Sequence, residues 1–171
     1  IDISSLFFIK FVTLETDTMK KGRILIVDDN KNVLSALRIL LGGHFEEVTT
    51  ISTPNMLMTS LQEKKPDIVL LDMNFSAGIN TGNEGIYWLT QLRGVDPDLP
   101  VVLFTAYANI ERAVRALKEG AFDFIVKPWD NYKLISTLQA ALQLRLSRKE
   151  VKRLRERQKT LSSALNPDED I

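Results

Sequence analysis

Four short apolar runs constrain the fold of this chain more than any other feature. Ile24-Leu25-Ile26-Val27 leads into Asp28-Asp29, Ile68-Val69-Leu70-Leu71 into Asp72, Val101-Val102-Leu103-Phe104 into Thr105-Ala106, and Phe124-Ile125-Val126 into Lys127-Pro128. Runs this short, with helical patterns between them, read as parallel strands buried on both faces. In an open parallel sheet, ligands bind outside the carboxyl ends of the strands. Three Asp, one Thr and one Lys are therefore expected along one edge of one sheet. That set suits a divalent cation and a phosphoryl group.

The remaining elements follow from periodicity and punctuation. A strand is expected at 23–27, then a helix at 32–41 with Val33, Leu34, Leu37, Leu40 and Leu41 on one face and Gly42-Gly43 as its stop. A strand at 46–51 precedes a helix at 54–63 that carries Pro54 in its first turn. Next come a strand at 67–72, a Gly/Asn-rich loop at 74–83, a helix at 84–93 and a strand at 101–105. A helix at 109–119 is closed by Gly120, a fifth strand covers 122–126, and a last helix begins near Asn131. Five strands alternating with five helices make an α/β, doubly wound parallel sheet.

A length of 171 residues suits one domain with extensions. Lys and Arg number 22 and so do Asp and Glu, so net charge makes no case for a nucleic-acid or membrane partner. The absence of Cys excludes disulfides and thiolate metal sites, and the single His44 excludes a His-rich one. No apolar run approaches the roughly 20 residues of a membrane span. Residues 1–18 contain Leu6-Phe7-Phe8-Ile9-Lys10-Phe11-Val12 but lack the layout of a secretory signal. They read as an upstream or expression-derived extension, the other reading being an extra element packed on the domain. Met19-Lys20-Lys21-Gly22 looks like a natural start, which puts the main domain at 19–143.

The last helix continues past that domain. Leu144, Ser147, Val151, Leu154, Gln158, Leu161 and Leu165 follow 3-4-3-4 spacing, a heptad seam interrupted by Ser147 and Gln158. Its flanks are basic, with Arg145, Arg148, Lys149, Lys152, Arg153, Arg155, Arg157 and Lys159. Residues 144–165 read either as a solvated helix or as a coiled-coil-like linker that pairs two chains; no recognition motif points to direct nucleic-acid binding. The segment 166–171 reads as a tail.

Clustered carboxylates need a compensating charge. At about 4 Å and an effective dielectric near 20, each pair among Asp28, Asp29 and Asp72 repels by roughly 4 kcal/mol. Lys127 supplies one positive charge, and a hard divalent cation would supply two. Mg²⁺ fits an all-oxygen donor set that also takes phosphate, with Mn²⁺ as the substitute. The plainer alternative gives Asp28 or Asp29 to a helix N-cap and leaves Asp72 an ordinary strand end.

The acidic pair Asp28-Asp29, the strand-end Asp72, Thr105-Ala106 and Lys127-Pro128, in that order, resemble the receiver domain of bacterial two-component response regulators over about residues 20–146. The resemblance implies a flavodoxin-like sheet of order 2-1-3-4-5 and a cytoplasmic regulator that catalyses only its own phosphorylation and dephosphorylation. It implies Asp72 as phosphoacceptor from a sensor histidine kinase. It gives Mg²⁺ to Asp28, Asp29, Asp72 and the Asn74 main-chain carbonyl. Lys127 and Thr105 would bind phosphoryl oxygens, Phe124 would be the aromatic switch, and the peptide before Pro128 would be cis. Asn74 and Tyr107 occupy positions that tune phosphoryl lifetime. The run Ala121-Phe122-Asp123-Phe124-Ile125-Val126-Lys127-Pro128-Trp129 is typical of NtrC-like transcriptional activators. That sub-family implies a homodimer, plus AAA+ ATPase and DNA-binding domains elsewhere in a longer chain; no Walker A loop occurs here.

Two features depart from the family pattern. Phe75-Ser76 replace Met-Pro, and Gly85 stands thirteen residues after Asp72 where the family has eight. This implies an insertion of about five residues within 76–83, a length whose closure costs little. Rival chemistries fit less well. Phosphatases of the haloacid-dehalogenase type need a second Asp where Asn74 stands, and Val27-Asp28-Asp29-Asn30 replaces the Gly-rich turn of dinucleotide binders. A receiver-like dimerisation domain that is never phosphorylated remains the functional alternative.

Overall fold

The computed structural model describes residues 2–5, 20–75 and 84–165. Most of the N-terminal extension, the insertion at 76–83 and the tail lie outside them. Strands β1 (Arg23–Val27), β2 (Glu47–Ile51), β3 (Ile68–Asp72), β4 (Val101–Ala106) and β5 (Asp123–Lys127) form one parallel sheet in the order β2-β1-β3-β4-β5, as expected. Helices α1 (Lys31–Leu41), α2 (Leu57–Lys64), α3 (Glu84–Val95), α4 (Ile110–Lys118) and α5 (Asn131–Leu165) complete the alternation.

Side chains alternate across each strand, so each apolar run feeds two cores. Ile24, Ile26, Leu70, Val102, Phe104 and Ile125 pack with Leu37 and Leu41 of α1 and with Leu134, Leu138 and Ala141 of α5. Leu25, Val27, Val69, Leu71 and Leu103 pack with Leu57 of α2, Leu89 and Leu92 of α3, and Ala113 and Ala116 of α4. The unbroken apolar runs of β1, β3 and β4 thus reflect burial on both faces. β2 is an edge strand, partly exposed along its whole length.

Several boundaries shift by a residue or two for local reasons. Pro54 to Met56 form a 3₁₀ turn under the Thr53 cap, so the α-helix starts only at Leu57. A second 3₁₀ turn, Tyr107–Asn109, delays α4 to Ile110. β5 runs one residue further than expected and takes in Lys127 as its last member. The N-cap of α1 is Asn30, whose side chain accepts from the Asn32 and Val33 N–H groups. Neither Asp28 nor Asp29 is used as that cap.

Gly85 is required by close approach. A Cβ there would lie 2.7 Å from Met73 Cα, and the Gly85 N–H donates to the Met73 carbonyl at 3.2 Å. This contact seats the start of α3 beside the end of β3. Gly120 has φ +103°, and a Cβ there would run into the Arg93 side chain, which reaches across to the Gly120 carbonyl.

α5 is a single helix of 35 residues, about 50 Å long. Its middle is tied to the sheet end opposite the acidic edge. The Arg145 guanidinium donates to both Asp96 oxygens at 3.2 and 2.6 Å, Arg148 to the Asp98 carbonyl at 3.3 Å, and Lys149 Nζ to Asp67 at 2.5 Å. From Ser147 onward every described residue of the helix is exposed.

Candidate functional site: a buried carboxylate cluster bridged by Lys127

Period-2 alternation puts Asp28, Asp72 and Lys127 on the same side of the sheet, each two residues past a core residue: Ile26, Leu70 and Ile125. One carboxylate oxygen from each of Asp28, Asp29 and Asp72 lies within 4.8 Å of the other two. Asp28 is 0% exposed and Asp72 5%, while Asp29 is half-buried. The Lys127 ammonium spans the pair, 2.6 Å from Asp28 Oδ2 and 3.2 Å from Asp72 Oδ1. Its shorter contact is with Asp28. The other Asp28 oxygen accepts from the Asn30 N–H at 2.9 Å.

Burial raises the Asp72 carboxyl from its ordinary 3.8 to about 6; Lys127 pulls it down and Asp28 pushes it up. It is still mostly ionised at pH 7, and so nucleophilic. The Asn74 N–H donates to Asp72 Oδ1 at 3.4 Å, and Asn74 Oδ1 is buried without a hydrogen-bond partner among the described residues. Three carboxylates with oxygens within 4.8 Å of one another form an all-oxygen donor set that fits a small divalent cation.

Thr105 is 0% exposed, and its hydroxyl donates to the Ala106 carbonyl at 3.2 Å. Tyr107 is 80% exposed and turned to solvent. Phe124 is half-buried, packed against the core on the α2–α4 side of the sheet. The Lys127–Pro128 peptide is cis, and Trp129 follows it with its indole against Phe104. Phe104 was not singled out from sequence as a site residue, yet its ring centroid lies 4.7 Å from Lys127 Nζ. The signal existed only as strand register, which pairs Phe104 with Asp72 on one side and Ile125 on the other.

A buried acidic cluster at the carboxyl edge of a five-stranded parallel sheet, bridged by a lysine from the last strand, defines a class. The chain belongs to the response regulator receiver domain family, whose model matches residues 24–139. It is 36% identical over 133 residues to the regulatory protein AtoC of Escherichia coli, covering 78% of this chain and 28% of AtoC. Among solved structures it resembles the N-terminal signal receiver domain of a two-component response regulator from Bacteroides fragilis, with 55% identity and a TM-score of 0.65. That match covers 72% of this chain and 97% of the other. It also resembles NtrX from Brucella abortus, with 29% identity and a TM-score of 0.71, over 81% of this chain and 30% of NtrX. The chain spans about a quarter of the length of the curated relatives it matches. No helix among the described residues is long and apolar enough to cross a membrane.

Proposed function

We propose that the domain takes a phosphoryl group from the phosphohistidine of a sensor histidine kinase onto Asp72. An Asp72 carboxylate oxygen attacks phosphorus, the P–N bond breaks, and its electron pair returns to the imidazole nitrogen. The observation that carries this reading is the three-carboxylate cluster with Lys127 bridging Asp28 and Asp72. Asp28, Asp29, Asp72 and the Asn74 main-chain carbonyl would hold Mg²⁺, or Mn²⁺ in its place. When bound, the ion supplies charge neutralisation for the phosphoryl oxygens. Lys127 exchanges its carboxylate contacts for a phosphoryl oxygen. The Thr105 hydroxyl leaves the Ala106 carbonyl for another. In phosphoryl transfer the protein contributes mainly positioning and charge, and these residues supply both.

In this proposal the displacement of Thr105 is transmitted through Phe124 to a dimerisation surface. The α5 seam from about Leu144 to Leu165 adds a second contact between copies. Within a longer chain the domain would regulate transcription in the cytoplasm, alongside ATPase and DNA-binding regions. The test is incubation with Mg²⁺ and acetyl phosphate followed by intact mass. One added phosphate is expected, labile to hydroxylamine as an acyl phosphate is, and absent from Asp72→Ala. Full labelling of that variant would refute the assignment.

A further inference from the structure

We infer that Phe104 is a positioning residue for Lys127, a role that rests on the phosphoacceptor reading above: its ring face is a third partner of the ammonium and holds that charge over Asp28 and Asp72. Register sets up the contact. Phe104 lies between Asp72 and Ile125 on adjacent strands. Lys127, two residues past Ile125, must carry its stem over Phe104 to reach the carboxylates. Its Nζ stands 4.7 Å from the ring centroid, inside the roughly 6 Å range of a cation–π contact. The ring is 1% exposed and the Lys127 side chain 24%, so the contact is poorly hydrated and correspondingly stronger.

The ring has a second aromatic contact. Trp129 packs against Phe104 with centroids 5.3 Å apart and planes at 53°, and Trp129 Nε1 donates to Asn131 Oδ1 at 3.0 Å. A Leu at position 104 would fill similar space but offer the ammonium no negative ring face. The contact also uses none of the ammonium hydrogens. Two of the three point at Asp28 and Asp72, which leaves one for a further acceptor. Without the ring, the exposed part of the side chain is free to swing toward water, and the ammonium is lost from the site part of the time.

Fluorination weakens the ring quadrupole at nearly constant shape. The experiment replaces Phe104 site-specifically with 4-fluoro-, 3,5-difluoro- and 3,4,5-trifluorophenylalanine. It compares initial rates of Asp72 phosphorylation by acetyl phosphate with Mg²⁺, in the parent and in a Lys127→Ala background. The rate should fall stepwise, by about 2- to 10-fold across the series, in variants that still unfold cooperatively, with no gradation in Lys127→Ala. A flat series, or equal gradation in both backgrounds, overturns the role. If the unmodified protein takes no phosphate on Asp72, the phosphoacceptor reading fails separately. The contact is then read from the Lys127 methylene resonances, which should show an upfield ring-current displacement that disappears in Phe104→Leu. No displacement in the parent overturns the contact whatever the labelling result.

Discussion

Asp72→Asn should make the divalent-free protein more stable at neutral pH. Burial is the main reason the Asp72 carboxyl stands near 6 in the fold against 3.8 ordinarily, with Asp28 adding to it and Lys127 opposing it. A native value above the unfolded one means that the folded state favours the protonated form. The associated stability is fully present below about pH 4 and is lost as pH rises through 6. Above that, roughly two units at 1.36 kcal/mol each make the ionised carboxylate cost on the order of 3 kcal/mol. The side chain is only 6% exposed, so solvent screening reduces this little. Asparagine removes the charge, and Lys127 keeps its 2.6 Å partner Asp28. Urea unfolding in EDTA at pH 7.5 should therefore show a gain of about 2–3 kcal/mol, shrinking toward zero by pH 4. Millimolar Mg²⁺ should narrow the gap by stabilising the wild type. No gain at pH 7.5, or a gain independent of pH, would refute the electrostatic account.

Other perturbations test the rest of the site and its frame. Mg²⁺ at 100 times its dissociation constant should stabilise the wild type by about 2.7 kcal/mol in thermal melts and Asp29→Asn much less, with Trp129 fluorescence following the binding. Gly85→Ala should cost about 1–3 kcal/mol in denaturant unfolding, because its Cβ meets Met73 backbone 2.7 Å away. A chain ended after Glu150 keeps the ion pairs between α5 and the domain but loses Val151, Leu154, Leu161 and Leu165, which are 46–78% exposed. Sedimentation should show weaker self-association of that chain than of the full one, with and without beryllofluoride; equal association would assign the contact to the domain surface alone.

The sheet was legible in the sequence because burial on both faces leaves unbroken apolar runs, and because each run ended in a residue that chemistry could single out. The cluster of Asp28, Asp29 and Asp72 followed from the same logic, since parallel strands bring their carboxyl ends to one edge. What escaped depends on register and on partners far away in the chain. Nothing local says that Phe104 sits beside Asp72, so the ring under Lys127 could not be read. Likewise, Lys149 and Arg145 looked like part of a basic solvated face. Their partners Asp67 and Asp96 lie 82 and 49 residues earlier, and only the folded chain brings them together. Boundaries moved where 3₁₀ turns at Pro54 and Tyr107 took residues that periodicity gave to helices.

The two ends of β3 link the site to α5. At one end stands Asp72; at the other, Asp67 accepts from the Arg23 N–H at 2.9 Å and from Lys149 at 2.5 Å. β4 repeats the arrangement, with Phe104 and Thr105 at the site end and the loop carrying Asp96 and Asp98 gripping Arg145 and Arg148 at the base. α5 begins three residues after Pro128, beside the Trp129–Phe104 contact, and is held again at Lys149. After Lys149 no ion pair or hydrogen bond among the described residues returns to the domain, and the remaining 16 residues extend about 24 Å. Under the proposed function, a shift at the site end that tilts the gripped part of α5 is carried rigidly into the free part. In that reading the contacts of Arg145 and Lys149 at the base set where the free part of the helix begins. These ion pairs are part-buried, with side-chain exposures of 12% and 34% for Arg145–Asp96 and 51% and 10% for Lys149–Asp67, so they add to stability. Their more consequential effect here is to fix the direction in which the seam leaves the domain, and so the geometry in which two copies can meet.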